Sequence, residues 1–425
     1  MTIKKITLIS IILLTFSILS GQEEEDKILL LKIGDKKLKD KTMDVAAGKI
    51  YSARAGSQIP FQKMIKEMKE SEFIYLGETH NSLPMHEIQS KIIQALYDQD
   101  RSLSIGLEMF PVSFQEALNK WSMGILSQDE FIRESRWYMN WNFNFGFYER
   151  IFELAKNSQI PLYALNAQRA IIRKIRMKGW DKLSDDEKKI VPNPDVSHEE
   201  HRKLIRTIFE ATELPHQMKG AGLDMVFEGL YRAQSAWDEV MAFNALQSRE
   251  RGGRKLVVLV GSGHLLYNLG INRRAYEKSR LPFKTVLCVE IPEGKKSIKV
   301  ARSLADYVWG ISEEKIPAFP SVGLRFKKFD GLDNLVIESR PIDGVSKNAN
   351  FEKGDVVLSV DGKSYSDINE LRIYLARFKW DDEVKFSLLR DAQQIEIVLK
   401  FKTPEEEKEE KEEKEKKEKK AGQGR

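Results

Sequence analysis

Five short, continuously apolar segments in the middle of the chain constrain its fold more than any other feature. They are residues 73–76, 103–107, 160–165, 256–260 and 285–291. Each is apolar throughout rather than alternating, which is typical of strands that are buried on both faces. Segments of helical periodicity separate them, at 85–99, 113–121, 147–157, 167–178 and 231–250. This order predicts an α/β fold in which a mostly parallel sheet carries helices on both faces.

The sequence pattern changes on either side of this region and suggests the domain boundaries. Residues 22–310 form the α/β domain, with a polar lead-in, a helix over 61–70 and a largely helical insertion over 180–229. Residues 311–320 contain two prolines and several charges, which predicts a linker. Residues 321–402 read as short strands with one amphipathic helix, which predicts a small β-rich second domain.

Both chain ends have a composition unlike that of the domains. Residues 1–21 place Lys4 and Lys5 before an apolar run and a Ser-Gly pair, the layout of a secretory signal peptide. No Cys follows that site, so we expect export without a lipid anchor, to the periplasm or in association with the outer membrane. Residues 403–425 form a charged tail, and 405–420 contain nine Glu and seven Lys and nothing else. Such a run cannot bury apolar surface, so we expect a disordered or solvated helical tail.

The overall charge and the cysteine content exclude some kinds of site. The 425-residue chain has a net charge of +5, and its basic residues are dispersed, so we expect no nucleic-acid partner. Cys288 is the one cysteine of the sequence. It excludes an internal disulfide and a Cys-cluster metal site, and its apolar surroundings predict an inert buried side chain.

Polar residues follow four of the predicted strands. Glu78 and His80 follow the first, Glu108 follows the second, Asn166 ends the third and His264 follows the fourth. Ligands of open α/β sheets bind outside the carboxyl ends of the strands, so we expect these side chains to converge. An alternative is that the carboxylates cap helices and the histidines make local hydrogen bonds.

Three kinds of chemistry suit such a set, and the residues alone leave them open. His80, Glu108 and His264 could hold Zn, Mn or Co, because imidazole and carboxylate are ligands of these metals. Glu78 with His80 could activate water without a metal, with Glu108 and His264 as further catalytic residues. The set could also line the pocket of a larger cofactor.

The segment 136–148, here called the aromatic segment, contains seven aromatic residues in thirteen. It could form a flat apolar slot for a planar ligand, with Tyr148 as an oxygen ligand to ferric iron, or it could be aromatic core or a dimer interface. Among the other histidines, His198 and His201 lie in a polar stretch and are predicted to face solvent. His86 is predicted to pack within a helix, and His216 and Met218 to lie in an ordinary loop.

The strand-end motifs resemble those of the ChaN-like family of haem-binding uptake proteins, within the Tiki/TraB/erythromycin-esterase-like group. The shared motifs are Gly-Glu-Thr-His at 77–80, Gly-Leu-Glu-Met at 106–109, Tyr148 at a helix start, Pro-Leu-Tyr-Ala-Leu-Asn at 161–166 with Arg169, Ala-Gln at 233–234 with Asp238 and Met-Ala at 241–242, and Gly-Ser-Gly-His at 261–264 with Gly270. The resemblance covers roughly residues 60–295. It implies haem as cofactor, with Glu78, His80, Glu108, Tyr148 and His264 as candidate binding residues. More distant relatives imply metal-dependent peptidase or esterase activity at the same Glu and His positions.

The second domain resembles a PDZ domain of the bacterial protease type. Gly323, Leu324, Arg325 and Phe326 resemble its carboxylate-binding loop, and 351–363 resembles its hallmark strand and turn. Loop amides of this kind bind a terminal carboxylate while an extended peptide adds to the sheet edge.

The resemblances together imply an exported haem-binding protein that takes part in haem or iron uptake and docks a partner through its PDZ module. The alternative is a metal-dependent hydrolase, a peptidase or esterase, whose PDZ domain recruits substrates. The expected partners are haem and a protein C-terminus or extended peptide, and a homodimer is a candidate assembly because it would enclose a flat cofactor.

Overall fold

The computed structural model describes residues 27–212, 221–252 and 255–409. The predicted signal peptide, His216, Met218 and the charged tail beyond residue 409 lie outside these ranges. The chain divides into two compact units. The first contains Arg150–Glu313 and the chain up to Ile125, and the second contains Leu126–Glu149 and the chain from Glu314 onward. Within the described ranges, we find no helix with both the length and the apolar character of a membrane span.

The strands are short and fall into three sheets. In chain order they are β1 (Thr42–Val45), β2 (Ile50–Ser52), β3 (Ser57–Ile59), β4 (Phe73–Glu78), β5 (Ser104–Pro111), β6 (Leu162–Asn166), β7 (Leu256–Gly261), β8 (Phe283–Ile291), β9 (Ile298–Ala301), β10 (Tyr307–Ser312), β11 (Phe326–Lys327), β12 (Leu335–Ile337), β13 (Val356–Val360), β14 (Glu383–Arg390) and β15 (Gln393–Lys400).

The α-helices range from four to 32 residues. In chain order they are α1 (Phe61–Glu67), α2 (Leu83–Gln99), α3 (Gln115–Ser122), α4 (Gln128–Glu134), α5 (Trp137–Asn140), α6 (Glu149–Asn157), α7 (Arg169–Lys178), α8 (Asp185–Ile190), α9 (Glu199–Glu210), α10 (Ala221–Gly252), α11 (Ile271–Ser279) and α12 (Ile368–Leu375).

The first unit is built on an eight-stranded sheet in the order β3-β2-β10-β8-β4-β7-β5-β6. The six strands from β10 to β6 are parallel to one another, and β2 and β3 add antiparallel pairs at one edge. Every residue of β4, β5 and β7 is buried, as expected for strands covered on both faces. The predicted α/β class with a mostly parallel sheet is confirmed.

The ends of this unit differ from the sequence prediction. Residues 42–59, predicted to be part of a lead-in, form β1, β2 and β3, which have three or four residues each. Elements this short show too few alternations to be distinguished from a loop. The predicted linker 311–320 begins inside β10, which runs from Tyr307 to Ser312.

The second unit contains the antiparallel sheet β11-β12-β13-β14-β15 and the helix α12. Leu335, Val357, Leu371 and Phe386 form part of its buried core. The predicted β-rich domain is confirmed. The same unit also contains residues 126–149, which are predicted from the sequence to lie in the α/β domain.

Residues 126–149 make specific contacts with the C-terminal part of the second unit. Arg133 Nε donates to Glu370 Oε1 at 3.0 Å, and Asn144 Nδ2 donates to the Ala376 carbonyl at 2.8 Å. The ring of Phe147 packs edge-on against Phe319 with 4.9 Å between centroids. The aromatic segment is therefore core of this unit, which was one of the alternatives that the sequence left open.

Candidate functional site

The carboxyl ends of four neighbouring parallel strands meet at one edge of the large sheet. β4, β7, β5 and β6 lie side by side in that order, with Glu78 at the end of β4 and Gly261 at the end of β7. His80 follows β4 by two residues, and His264 completes a 3₁₀ turn directly after β7. Glu108 lies where the pairing of β5 with β6 changes register, an irregularity that redirects side chains. We call Glu78, His80, Glu108 and His264, with Asp238 of α10, the strand-end cluster.

Glu78 and His80 form the first pair of this cluster. Nδ1 of His80 lies 2.9 Å from Oε1 of Glu78, and Gln89 Nε2 donates to Glu78 Oε2 at 2.9 Å. His86 from the same helix as Gln89 places its Nδ1 3.6 Å from Glu78 Oε2. All four side chains are buried. The carboxylate of Glu78 is therefore held by partners on both oxygens.

The second part of the cluster is a His264 imidazole between two carboxylates. Nδ1 of His264 lies 2.6 Å from Oδ1 of Asp238, and Nε2 lies 3.3 Å from Oε1 of Glu108. The other oxygen of Glu108 accepts a hydrogen bond from the Gly261 amide at 2.7 Å. Gln234 also approaches His264 Nδ1, at 2.8 Å. Of the two carboxylate contacts of the imidazole, the one from Nδ1 to Asp238 is the shorter.

Asp238 extends this chain to a third histidine. Its Oδ2 lies 3.3 Å from Nε2 of His201, whose side chain is 0% exposed. The prediction that His201 faces solvent is wrong. His201 begins the apolar stripe of α9 that continues at Leu204, Ile205 and Ile208, and this helical spacing is the signal that the sequence analysis missed.

Gly261 lies between the two parts of the cluster and leaves little room for a side chain. A β-carbon at this position would lie 2.9 Å from His80 Cε1 and 3.6 Å from Glu108 Oε2. His86 and Gln89 were likewise missed as members of the site. They lie on the buried face of α2 with Met85, Ile92 and Ile93. Two polar residues on an otherwise apolar helix face are the sequence feature that could have identified them.

Burial opposes charge on these groups, and their mutual attraction outweighs it. Burial lowers the pKa of the His264 imidazole, but the carboxylates of Glu108 and Asp238 raise that pKa to about 10. Burial raises the pKa of Glu108, but the neighbouring His264 and His80 and the Gly261 amide bring that pKa below its ordinary value. The pKa of Asp238 is lowered against burial by His264 and His201. At neutral pH the cluster is therefore an imidazolium between two carboxylates.

The cluster can be tested against the ligands that the sequence suggested. In the ranges that the structure describes, no three His, Cys, Asp or Glu side chains are arranged to hold a metal ion, so the Zn, Mn or Co site at His80, Glu108 and His264 has no support. Haem iron needs fewer protein ligands than such a metal ion, because one imidazole is enough to hold it. His264 fits it: Asp238 orients the ring from Nδ1, as carboxylates do for ligating histidines, and the Nε2 contact to Glu108 is the longer one. Ligation at Nε2 would displace Glu108 and release a proton.

Tyr148, the other haem-ligand candidate, belongs to the second compact unit. It is fully buried, and its hydroxyl accepts a hydrogen bond from Trp141 Nε1 at 3.0 Å. The ring of Trp137 packs edge-on against it, with 5.4 Å between centroids. Tyr148 is therefore integrated in aromatic core, in a unit to which the strand-end cluster does not belong.

The second unit carries a site of its own at the start of β11, which lies at the edge of its sheet. Gly323 has a φ of +77°, and a β-carbon there would lie 2.0 Å from the Asp343 carbonyl oxygen, so the chain needs glycine at this turn. Leu324 and Phe326 are buried in the core and anchor the loop. The predicted residues Gly323, Leu324, Arg325 and Phe326 thus form an anchored loop beside a strand edge.

The backbone amides of residues 322–325, here called the carboxylate loop, are available to a ligand. None of these four N–H groups has a hydrogen-bond partner in the described part of the chain. Amides left without partners on a buried or half-buried loop are costly unless something accepts from them. Successive free amides of this kind form a binding site for a carboxylate.

Two family models match the chain, one in each of the two regions that carry these sites. Residues 64–275 match the family model for haem-binding uptake, Tiki superfamily, ChaN, and residues 320–401 match the PDZ domain model. A solved structure described as cofacial heme binding to ChaN of Campylobacter jejuni is 21% identical, with a TM-score of 0.49, and covers 61% of this chain and 95% of that chain.

Two curated proteins match parts of the chain. A probable periplasmic serine endoprotease DegP-like of Rickettsia prowazekii (strain Madrid E) is 28% identical over 79 residues, 19% of this chain and 15% of that protein. Protein RETICULATA-RELATED 5, chloroplastic, of Arabidopsis thaliana is 24% identical over 264 residues, 58% of this chain and 35% of that protein. The chain therefore spans 15% and 35% of the lengths of these relatives. The family matches confirm both sequence resemblances: residues 64–275 match the haem-binding uptake, Tiki superfamily, ChaN model, and residues 320–401 match the PDZ domain model.

Proposed function

We propose that the chain is an exported haem-binding protein that handles haem for iron uptake and docks to a partner protein through its PDZ domain. The observation that carries the proposal is the match of residues 64–275 to a haem-binding uptake family. The charged residues 4–5, the apolar run after them and the small residues 20–21 support export, to the periplasm or in association with the outer membrane. In this proposal haem is the cargo of the protein and not a reaction centre.

We assign the iron-facing role in this proposal to His264. Asp238 supports it from Nδ1 at 2.6 Å, and Glu108 holds Nε2 at 3.3 Å until a stronger ligand replaces it. Glu78 and His80 complete the polar wall of the site across Gly261. Binding at Nε2 requires the neutral ring, so haem affinity should rise with pH as His264 deprotonates.

The test is a haemin titration of the full chain followed by its Soret absorbance. Wild type should show a saturable shift, and His264→Ala should weaken affinity about tenfold or more, because an axial ligand is lost. Tyr148→Phe is the matched variant, since it removes the rival ligand and keeps the buried ring. Circular dichroism confirms that both variants are folded. A shift lost in Tyr148→Phe and kept in His264→Ala would move the iron ligand to Tyr148, and a linear rise without saturation would reject haem binding.

The cluster also supports a second candidate, hydrolysis by water activation without a resident metal. The observation behind it is the Glu78 and His80 pair, 2.9 Å apart and buried at a strand end. A carboxylate and imidazole in this arrangement can act as general base and acid, and the PDZ domain would then recruit substrate C-termini. Glu78→Gln should lower turnover of a peptide or ester about a hundredfold, and a chelator should leave wild-type turnover unchanged. Activity that survives Glu78→Gln would refute this candidate.

A further inference from the structure

We propose that the PDZ domain selects protein C-termini that carry acidic residues just before an apolar last residue. The inference rests on the proposed peptide binding and adds the chemical class of the peptide. Its basis is a group of three cations at the edge of the sheet: Lys327 lies in β11, and Arg325 and Lys328 lie directly before and after that strand. We call these three side chains the basic edge.

The position of β11 decides which part of a peptide meets the basic edge. β11 pairs with β12 on one side and ends the sheet on the other, so an added strand would lie along its open side. A C-terminal carboxylate bound at the carboxylate loop fixes the end of that strand. The residues before the last one then run along residues 326–328.

The side chains of the edge alternate between two faces, as strand residues do. Leu324 and Phe326 point into the core, so Arg325 and Lys327 point to the opposite face. The contact of Lys327 Nζ with the Phe329 ring, 4.2 Å from its centroid, shows that residues 327 and 329 share that face. Peptide side chains that alternate onto this face would lie beside Arg325 and Lys327.

Lys328 would contact the face of the peptide that is turned toward α12. Its Nζ donates to the Ser366 carbonyl at 2.9 Å, next to the start of α12. The ammonium group keeps further donors for a ligand, and Lys328 is exposed. A carboxylate on a peptide residue that faces α12 would therefore meet a cation as well.

The basic edge is not neutralised within the described part of the protein. None of Arg325, Lys327 and Lys328 has a carboxylate oxygen within 4.0 Å there. The backbone amide of Glu338 donates to the Arg325 carbonyl at 2.8 Å. The carboxylate of Glu338 nevertheless makes no ion pair with the Arg325 side chain. Asp343 lies beside Gly323, at the carboxylate loop, where a β-carbon on that glycine would be 3.1 Å from its Oδ1.

The test uses the full chain and three labelled peptides that end in the same apolar residue with a free carboxylate. The residues just before the last are Glu in one peptide, Ala in the second and Lys in the third, and binding is followed by fluorescence anisotropy. At low salt the Glu peptide should bind about fivefold to tenfold more tightly than the Ala peptide, as expected for a few exposed ion pairs. The Lys peptide should bind more weakly than the Ala peptide, and added salt should narrow the range.

Two variants distinguish an effect of the basic edge from an effect of the net charge of the protein. The double variant Lys327→Glu with Lys328→Glu should reverse the order of the Glu and Lys peptides. Lys400→Glu makes the same kind of charge change on β15, at the opposite edge of the sheet, and should leave the order unchanged. A reversal by Lys400→Glu would mean that net charge, and not the edge, selects the peptide, and would overturn the proposal.

The remaining outcomes distinguish this inference from the function on which it rests. Equal binding of all three peptides, abolished when their C-termini are amidated, would overturn the acidic preference and leave C-terminal capture intact. Absence of binding by any peptide, amidated or not, would overturn C-terminal capture and the acidic preference together.

Discussion

The strand-end cluster of the first unit and the carboxylate loop of the second are both polar sites at strand ends, but only one of them is internally complete. In the cluster, the carboxylates of Glu78, Glu108 and Asp238 are paired with histidines of the same unit. In the loop, four consecutive amides lack a partner in the described part of the chain. Paired polar groups stabilise the fold that holds them, whereas unpaired ones gain only from a ligand. A ligand of the cluster would therefore have to displace an internal contact, whereas a ligand of the loop would not.

The largest effect should follow removal of the carboxylate that bridges two histidines. Asp238→Ala leaves His264 and His201 without their shared partner in a buried site, and should lower the free energy of unfolding by about 3–5 kcal/mol. Urea denaturation measures the loss, and hydrogen exchange of β4 and β7 amides assigns it to the first unit. Asp224→Ala is the control, because Asp224 pairs with Arg206 at the surface and should cost about 1 kcal/mol or less. Equal losses in both variants would contradict the bridging role.

The second-largest effect should be a pH dependence of the free energy of unfolding, caused by the charges of the cluster. The folded pKa of His264, about 10, is above its ordinary value of 6.5. Its contribution is therefore complete below about pH 6.5 and is lost as the pH rises toward 10. The pKa values of Glu108 and Asp238 are lowered, so their contributions are lost as the pH falls below their ordinary values of 4.5 and 3.8.

The stabilisation that these three groups contribute should therefore be greatest between about pH 4.5 and 6.5 and fall by a few kcal/mol on the alkaline side. Thermal unfolding across this range measures the slope. His264→Gln should flatten the alkaline slope although it also lowers stability overall. An unchanged slope in this variant would show that His264 does not carry the charge.

A smaller effect should follow from closing the space between the two parts of the cluster. Gly261→Ala places a methyl group 2.9 Å from His80 Cε1, so the imidazole must move, and overpacking of this kind costs about 1–3 kcal/mol. Haemin titration and urea denaturation of the same sample measure both consequences. Gly252→Ala is the comparison, since its nearest neighbour is the movable hydroxyl of Tyr163 at 3.2 Å. Wild-type stability and haem binding in Gly261→Ala would contradict the close approach.

The smallest effect on stability should come from a substitution in the second unit, where the polar groups of the carboxylate loop and the basic edge have few internal partners. Arg325→Ala removes a cation that has no ion-pair partner in the described structure, so the free energy of unfolding should change by less than about 0.5 kcal/mol. The same variant should weaken binding of a Glu-containing C-terminal peptide, measured by anisotropy. A large loss of stability with unchanged peptide binding would reverse the contrast between the two sites.

Most of the strand-end cluster could be predicted because parallel strands place their carboxyl ends at one edge. Glu78, His80, Glu108 and His264 each follow an apolar run, and the run itself gives the position of the edge. Asp238, Gln89 and His201 come from helices, whose register against the sheet depends on packing between distant parts of the chain. His201 was misread because its charged neighbours belong to the exposed side of the same helix turn.

Local sequence pattern and backbone geometry are enough to predict the α/β class, the main strands along the chain, the polar residues at their ends and the Gly-containing loop of the PDZ domain. The folded chain was needed to show that His264 lies between two carboxylates, that His201 is buried and that residues 126–149 belong with the C-terminal unit. These facts depend on contacts between residues far apart in the chain, such as Arg133 with Glu370. Local periodicity shows which face of an element is buried, but the partner that covers it is chosen by the packing of the whole unit.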